Sequence, residues 1–405
     1  MRGVSDIPQP HERLNRLDAV RRLKMAASPH RYVRGSTEQF YDWLSNIQGR
    51  QLPEGPPIWI CGDCHVGNLG PIAGANEKIE IQIRDLDQTV VGNPAHDLIR
   101  LGLSLASAAR GSNLPGVMTA RMLESMMDGY ERAFEPGFDE NMEMERPKSV
   151  TLAIRQSRIA SWATLARQRL RDPLPNIPLG KRFWPLSAEE RQDIFALFER
   201  EDIQRLVTML RTRDDGATAE VIDCAYWMKG CSSLGKLRYA ALLMIRSRRK
   251  KPPTFCLLDL KEAQKEAAPI ANDRMTPEDP AERVVTGARA LSPHLGERMR
   301  AARVNGTPIV VRELRPQDLK LEIDAIEVDE AVKAAGYLAA VVGKAHARQM
   351  DRATRDAWSA ELGRNRTRTL DAPTWLWRSV VDLLAVHERA YLEHCRRYAL
   401  AASTT

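Results

Sequence analysis

The sequence lacks the features of a membrane-bound or secreted protein. Its 405 residues are 43% hydrophobic and 28% charged, but no apolar run reaches the roughly 20 residues that a membrane-spanning helix needs. The first twenty residues contain no apolar core of the kind found in a signal peptide. These absences predict a cytoplasmic protein that does not associate with membranes.

Cysteine is scarce, and its placement leaves two interpretations open. The six cysteines are scattered, and no second CxxC accompanies Cys61 and Cys64 to complete a zinc site. The segment from Cys61 to His65 also has the CxxCH spacing of c-type haem attachment. That attachment normally takes place outside the cytoplasm, which disfavours haem. A haem or thiol-redox protein remains an alternative at this point.

The charge is modestly basic. The formal net charge is +7, and part of it comes from the run Arg246-Ser-Arg-Arg-Lys-Lys251, which two prolines follow. Such a run is typical of a solvated hairpin tip, so no nucleic acid partner is expected. Anionic small molecules, including nucleotides, remain compatible partners. Composition does not determine the oligomeric state.

Periodicity divides the chain into helix-rich, strand-rich and again helix-rich parts. Residues 1–215 are mainly helical, apart from a short buried strand in PPIWICGD and an alternating strand in EKIEIQIRDLD. Residues 216–325 contain the apolar runs LRYAALLMIR and TFCLLDLK, predicted to be an antiparallel pair, then a helix and the strand TPIVVREL. Residues 326–405 are helical again. The fold class is therefore α+β and helix-rich.

Three polar residues have the spacing of a phosphoryl-transfer site. Asp63 and Asn68 lie five positions apart on a loop after the first strand, and Asp85 follows the next strand. Phosphoryl transfer needs an acid to orient the attacking hydroxyl and hard oxygen ligands for Mg²⁺. The sequence therefore favours Mg²⁺-dependent phosphoryl transfer over the interpretation that these residues only cap turns.

The motifs around these residues resemble those of known phosphotransferases. CGDCHVGNLG is similar to the HGDxHxxN loop of the aminoglycoside and choline phosphotransferases, and IRDLDQTVVGNPAHDLIRL to the segment that follows it there. The same blocks, together with an upstream KMxxSPxxFxRG segment, mark an uncharacterised bacterial family that this chain resembles over most of its length. Here that segment runs from Lys24 to Gly35.

The resemblance implies a role for each polar residue. Asp63 would be the catalytic base, and Asn68 and Asp85 would be the Mg²⁺ ligands. Asp97 would brace the catalytic loop and His65 would shape it. Asp87 is an additional acid, and both a supporting role and simple turn capping remain open for it.

The resemblance also requires a nucleotide-binding half, which is expected downstream. Gly230, Ser232, Ser233 and Gly235 form a flexible loop that suits phosphate oxygens. Lys261 lies near the end of the second strand after this loop, and it would bridge the nucleotide phosphates. Glu282 would be its acidic partner on the following helix, with Glu262 as a rival.

This order implies a two-lobed protein-kinase-like fold that is circularly permuted. The alternative is that residues 216–325 are an unrelated α+β insertion. The function predicted is an ATP- and Mg²⁺-dependent phosphotransferase acting on a small hydroxylated acceptor. The alternatives are a catalytically inactive kinase-like protein and a nucleotidyltransferase that transfers AMP.

Other basic residues are predicted to have ordinary structural roles. His346 is expected to be a packed or hydrogen-bonded residue on a helix. Arg34, Arg312 and Arg315 are expected to form surface salt bridges in preference to contacts with phosphate or an acidic substrate.

Overall fold

A computed structural model describes most of the chain. The described residues are 7–47, 52–74, 78–112, 114–138, 145–159, 176–208, 216–229, 235–247, 252–272, 274–314, 328–364 and 372–402. Among these residues, no helix is both long enough and apolar enough to cross a membrane.

Helices and two small hairpin-like pairings form the first part of the chain. The helices are α1 (Arg13–Ala26), α2 (Pro29–Val33), α3 (Thr37–Ser45), α4 (Ala95–Gly111), α5 (Gly116–Arg132), α6 (Lys148–Ile159), α7 (Ala188–Glu199) and α8 (Glu201–Thr208). The strands β1 (Ile58–Ile60), β2 (Leu69–Ala73), β3 (Ile79–Ile83) and β4 (Val90–Gly92) pair as β1 with β4 and β2 with β3.

The second part of the chain is built on an antiparallel sheet. Its strands are β5 (Phe183–Trp184), β6 (Thr218–Trp227), β7 (Arg238–Arg246), β8 (Thr254–Glu262), β9 (Met299–Val304) and β10 (Thr307–Leu314), in the order β5-β6-β7-β8-β10-β9. Helices α9 (Pro280–Leu291) and α10 (Pro293–Gly296) lie between β8 and β9 in the chain. Apolar residues fill the interior of β7, whose residues are buried from its first to its last but one.

The C-terminal part contains the helices α11 (Val328–Ala347), α12 (Arg352–Gly363) and α13 (Thr374–Ala402). Helix α11 crosses α5 at very short range, because glycines stand at the crossing. A Cβ atom at Gly129 would lie only 2.0 Å from the carbonyl oxygen of Gly336. One large apolar core unites these helices with the two small pairings and α9, and a second core lies on the six-stranded sheet.

The structure confirms the mixed α+β composition predicted from periodicity. The two apolar runs around the basic turn are the antiparallel pair β7 and β8. The turn itself is described only as far as residue 247, so most of the basic run lies outside the described residues. The predictions missed the strands β2, β4, β5, β6 and β9.

Candidate functional site

Polar residues from both parts of the chain line two adjoining cavities of about 110 and 70 Å³. The two cavities share the residues Asp63, Asn68, Asp85, Asp87 and Lys261. Four of these come from the two small pairings and the fifth comes from β8. The predicted base, the predicted metal ligands and the predicted nucleotide-binding lysine therefore lie in one cleft.

Strand pairing explains how the acids meet. Ile60 at the end of β1 pairs with Val90 at the start of β4, which places the loops after β1 and before β4 at the same edge. Likewise Leu69 pairs with Ile83, so the residues just outside this hairpin, Asn68 and Arg84, are neighbours. The Arg84 N–H donates to the Asn68 carbonyl at 2.7 Å.

Asp97 holds the loop that carries Asp63. One carboxylate oxygen accepts the N–H of Cys61 at 2.7 Å and the other accepts the N–H of Gly62 at 2.9 Å. Gly62 has φ +73, and a Cβ there would lie 2.0 Å from the carbonyl oxygen of Gln88, so only glycine fits. The buried His346 Nε2 lies 3.2 Å from the same Asp97 carboxylate, as a hydrogen-bonded helix histidine would.

A buried arginine positions Asp63. The Arg100 Nε donates to Asp63 Oδ1 at 2.8 Å, and its Nη2 donates to the carbonyl of Val33 at 2.6 Å. Burial raises the pKa of the Asp63 carboxyl, although the positive charge of Arg100 opposes the rise. Asp63 is therefore a fixed, desolvated carboxylate with more basicity than an exposed one.

His65 is a buried, neutral neighbour of Asp63. Burial and the positive charges of Arg34 and Arg100 hold the pKa of His65 well below its usual range. Its Nε2 lies 3.9 Å from Asp63 Oδ2, which is too far for a hydrogen bond. Its buried Nδ1 makes no hydrogen bond within the described structure.

Asn68 uses its amide nitrogen for main-chain contacts. Its Nδ2 donates to the carbonyl of Asp63 at 2.9 Å and to the carbonyl of Asp85 at 3.4 Å. These contacts tie the two loops together. They also fix the orientation of the amide, so that its carbonyl oxygen is the atom left for a cation.

Lys261 joins the sheet to the acidic loop. Its Nζ lies 3.0 Å from Asp85 Oδ1 and also forms an ion pair with Asp87. Burial opposes ionisation of Asp85, but Lys261 outweighs it and holds the pKa of Asp85 well below its usual range. Burial and the charge of Asp85 raise the pKa of Asp87 to about 6. Two carboxylates thus share one ammonium group.

The sheet contributes a basic group to the same cleft. Asp259 and Lys261 are two positions apart on β8 and so lie on one face of the sheet. Arg238 pairs in register with Lys261, and Arg312 pairs in register with Asp259. Both arginines form ion pairs with the buried Asp259 carboxylate, Arg238 through its Nε at 2.8 Å and Arg312 through Nη2 at 2.9 Å. Arg312 is therefore a cleft residue, which corrects its expected role on the surface.

Lys229 belongs to this basic group as well. It lines the larger cavity, and its Nζ lies 4.1 Å from the centroid of the Trp227 ring. Burial lowers its pKa well below the usual range, and the charge of Asp259 only partly offsets this. Three cations thus surround the Asp259 carboxylate: Arg238 on β7, Arg312 on β10 and Lys229 just after β6.

Glu282, the predicted acidic partner of Lys261, does not pair with it in the described structure. Glu282 is exposed in the first turn of α9 and lines neither cavity. Its backbone N–H is capped by Asp279. The rival, Glu262, accepts the N–H of Leu237 at 2.7 Å. Among the described ion pairs, those of Lys261 are with Asp85 and Asp87 only.

The next residue of the helix, Arg283, contacts the acidic loop of the cleft instead. Arg283 is buried, and it donates to the carbonyls of Thr89 and Asp87 and to that of Gln264. It also forms an ion pair with Glu266 at 3.1 Å. Helix α9 therefore fixes the main chain of the acidic loop and does not supply a partner for the lysine.

Only Gly235 of the four predicted phosphate-loop residues is among the described residues. Gly230, Ser232 and Ser233 lie outside them, as does Arg315. Gly235 is described and has φ +95, a conformation that favours glycine.

The cysteines of the loop are core residues. Cys61 and Cys64 are 0% and 1% exposed, and both are free thiols. A hydrogen bond with Cys64 and burial raise the pKa of the Cys61 thiol well above its usual range. A buried thiol with a raised pKa is a poor nucleophile, so these contacts do not favour thiol-redox chemistry at this pair.

Arg100 and Arg238 are site residues that the sequence analysis missed. Arg100 stands three positions after Asp97 on α4, and this spacing places both on one helix face. That spacing was the available signal. The partnership of Arg238 with Asp259 depends on strand register, and no spacing within the sequence indicates it.

The set of possible metal ligands is small. Among the described residues, no three His, Cys, Asp or Glu side chains are grouped as a metal site. Asn68, Asp85 and Asp87 line both cavities and carry two carboxylates and one amide oxygen between them. Two carboxylates and one amide suit Mg²⁺, which takes few protein ligands and keeps several waters or phosphate oxygens.

Fold and site together define a mixed α/β protein whose charged cleft joins acidic loops to a basic sheet face. The chain belongs to the bacterial family described as uncharacterized protein conserved in bacteria, DUF2252, which matches residues 13–397. No curated protein and no solved structure matches the chain.

Proposed function

We propose that this protein is an ATP- and Mg²⁺-dependent phosphotransferase with a small hydroxylated acceptor, built as a circularly permuted, two-lobed, kinase-like fold. One observation carries the proposal: Lys261 from the sheet forms ion pairs with the acids of the loop that follows β3, within a cleft that Asp63 and Asn68 also line. Lys261 and Asp85 are 176 positions apart in the sequence.

The distribution of charge in the cleft supports a metal–polyphosphate ligand. The loops supply carboxylates at Asp63, Asp85 and Asp87, whereas the sheet supplies cations at Lys229, Arg238 and Arg312. A divalent cation suits the acidic side, and phosphate oxygens suit the basic side. Neither the acidic loops nor the basic sheet face would favour a neutral ligand.

The environment of Asp63 supports a role as the base. Arg100 fixes one carboxylate oxygen, while burial raises the pKa of the group. A carboxylate held in this way can orient an acceptor hydroxyl and take its proton as the hydroxyl attacks phosphorus. Bound Mg²⁺ would neutralise charge on the phosphate oxygens, and Asp85, Asp87 and Asn68 are the residues that would hold it.

The arrangement of the sheet residues supports the permuted fold. The strand pair β7 and β8, the lysine on β8, the helix α9 and the strands β9 and β10 follow one another as expected of a nucleotide-binding lobe. All of them follow the loop of Asp63 in the chain. The departure is Glu282, which does not pair with the lysine, and Asp87 takes over as its second carboxylate partner.

The experiment measures nucleotide binding and phosphate transfer separately. Titration calorimetry with ATP tests for Mg²⁺-dependent binding, and ATP labelled at the α- or γ-phosphate identifies the group transferred to a panel of hydroxylated acceptors. We expect Asp63→Asn to bind MgATP within about threefold of the wild type and to lose at least 100-fold in transfer rate. Asp356→Asn, an exposed substitution on α12, is the control.

The possible outcomes separate the alternatives. Transfer of the γ-label supports the proposal, and transfer of the α-label identifies a nucleotidyltransferase. MgATP binding without turnover over the whole panel identifies an inactive kinase-like protein. Absence of any MgATP binding by the wild type would rule out all three.

A further inference from the structure

Arg34 is a cleft residue to which the proposed chemistry assigns no role. It follows α2 directly and lines the larger cavity together with Asp63, His65 and Gly67. A Cβ atom placed on Gly67 would lie 3.2 Å from the Arg34 Nε and 3.3 Å from its Cζ. The guanidinium therefore packs against the main chain of the loop that carries Asp63.

This guanidinium has no counter-charge in the described structure. Arg34 is half-buried, yet its guanidinium forms no hydrogen bond and no ion pair with any described residue. Its charge acts on His65, whose pKa it helps to lower. A partly desolvated arginine without a partner is costly, and most arginines in such places meet a carboxylate or a phosphate. The expected surface salt bridge of Arg34 is therefore wrong.

The segment that carries Arg34 is firmly held. Ser28 caps α2 by accepting the N–H of Arg31 at 3.2 Å. The carbonyl of Val33 accepts a hydrogen bond from Arg100, the same arginine that fixes Asp63. The position of Arg34 relative to Asp63 is thus set by one buried guanidinium. The segment from Lys24 to Gly35 therefore holds Arg34 beside the loop that carries Asp63.

We propose that Arg34 binds an anionic group of the acceptor, so that the acceptor is a hydroxylated small molecule carrying a carboxylate or a phosphate. Arg34 lies on the helical side of the cleft, whereas Lys229, Arg238 and Arg312 lie on the sheet and face the donor. A guanidinium binds a carboxylate or phosphate with two parallel hydrogen bonds and so fixes its orientation. His65, whose buried Nδ1 has no hydrogen-bond partner in the described structure, lines the same cavity as Arg34.

The identity of the ligand as an acceptor rests on the proposed function, but the anion site itself can be tested separately. The probes are glycerol, glycerate and glycerol 3-phosphate, which share one three-carbon chain and differ in charge. Each is titrated into the full-length protein by calorimetry, both without nucleotide and with a saturating non-hydrolysable ATP analogue and Mg²⁺. We expect the two anions to bind in both conditions and glycerol not to bind.

Variants assign the binding to Arg34. We expect Arg34→Gln to weaken the binding of both anions at least tenfold and Arg34→Lys to weaken it less, because a lysine keeps the charge but not the two-pronged geometry. Arg31→Gln changes an exposed arginine of α2 three positions before Arg34; it is the matched control and should bind as the wild type does. Glycerate binding more tightly than glycerol 3-phosphate would indicate a carboxylate acceptor, and the reverse order a phosphorylated one.

Two results would overturn the proposal: no binding of either anion by the wild type, or anion binding that Arg34→Gln leaves unchanged. Failure of the proposed function looks different. In that case the ATP analogue does not bind, yet the anions still bind and depend on Arg34. An anion site that persists without nucleotide binding would keep the inference and remove the phosphotransferase.

Discussion

At the scale of single residues, the ion pair between Asp63 and Arg100 fixes the position of the proposed base. The Arg100 side chain is fully buried and the Asp63 side chain is 13% exposed. Arg100 also reaches the carbonyl of Val33 and lies over the ring of Phe40. A buried pair of this kind is costly to break, since the remaining charge has no partner.

We therefore expect Arg100→Met to lower the free energy of unfolding by about 3–5 kcal/mol. Urea denaturation followed by circular dichroism measures this change. Asp63→Asn removes the other charge, so the double variant should lose less than the sum of the two single variants. Additive losses would show that the pair does not act as a unit.

At the same scale, the carboxyl groups of the cleft differ from one another in pKa. Asp85 is held ionised by Lys261, while Asp87 beside it has a pKa of about 6. Asp63 has a raised pKa of its own. Asp85 and Asp87 share one ammonium and cannot both ionise easily, which separates their pKa values, whereas burial raises the pKa of Asp63.

At the scale of elements, the crossing of α5 and α11 determines how the helical part packs. Gly129 faces the carbonyl of Gly336, and a Cβ atom at Gly336 would in turn lie 2.6 Å from the Ser125 hydroxyl. Helix α11 also carries His346, which contacts Asp97. Because Asp97 holds the loop that carries Asp63, the close crossing of α5 and α11 helps to fix the position of that loop.

We expect Gly129→Ala to lower the free energy of unfolding by more than about 2 kcal/mol, although alanine is the better helix former. The added methyl group would overlap a main-chain oxygen that can move only with its helix. Gly111→Ala, at the end of α4, is the control, because nothing lies within 4 Å of its Cβ position. Equal stability of the two variants in urea would contradict the short crossing.

At the scale of the whole molecule, buried histidines make stability depend on pH. Burial lowers the pKa of His96 to about 4, and burial with the charge of Arg100 lowers that of His387 to about 4. An unfolded histidine has a pKa near 6.5. Between these two values the unfolded chain binds more protons, so stability is fully present above about pH 6.5 and is lost as the pH falls toward 4.

Each of these histidines should contribute about 3 kcal/mol to the loss. Urea denaturation at intervals from pH 7 to pH 4 gives the slope for the wild type. The variant His96→Gln/His387→Gln should have a shallower slope, whatever its stability at pH 7. The comparison isolates the histidines, because the carboxylates are the same in both proteins. Parallel curves would contradict the low pKa values.

Much of the secondary structure could be predicted because it depends on local pattern. The alternation in residues 79–83 predicts the strand β3 and the spacing of apolar residues predicts the helix α4, although both elements are buried on more than one face. The strand β5 was not predicted, since it consists of Phe183 and Trp184 alone within a proline-rich stretch. It exists because it pairs with β6, and a two-residue partner leaves no periodic signal.

The candidate site likewise consists of residues that the sequence predicted and of contacts between them that it did not predict. The sequence by itself determined the loop residues Asp63, Asn68 and Asp85 and the strand lysine Lys261, because their spacing reflects turns and strands close by in the chain. Only the tertiary structure decided which charges meet: Lys261 with Asp85 and Asp87, and Arg100 with Asp63, while the Arg34 guanidinium has no partner among the described residues. Ion pairs between distant segments depend on strand register and helix packing, and local sequence does not encode either of these separately.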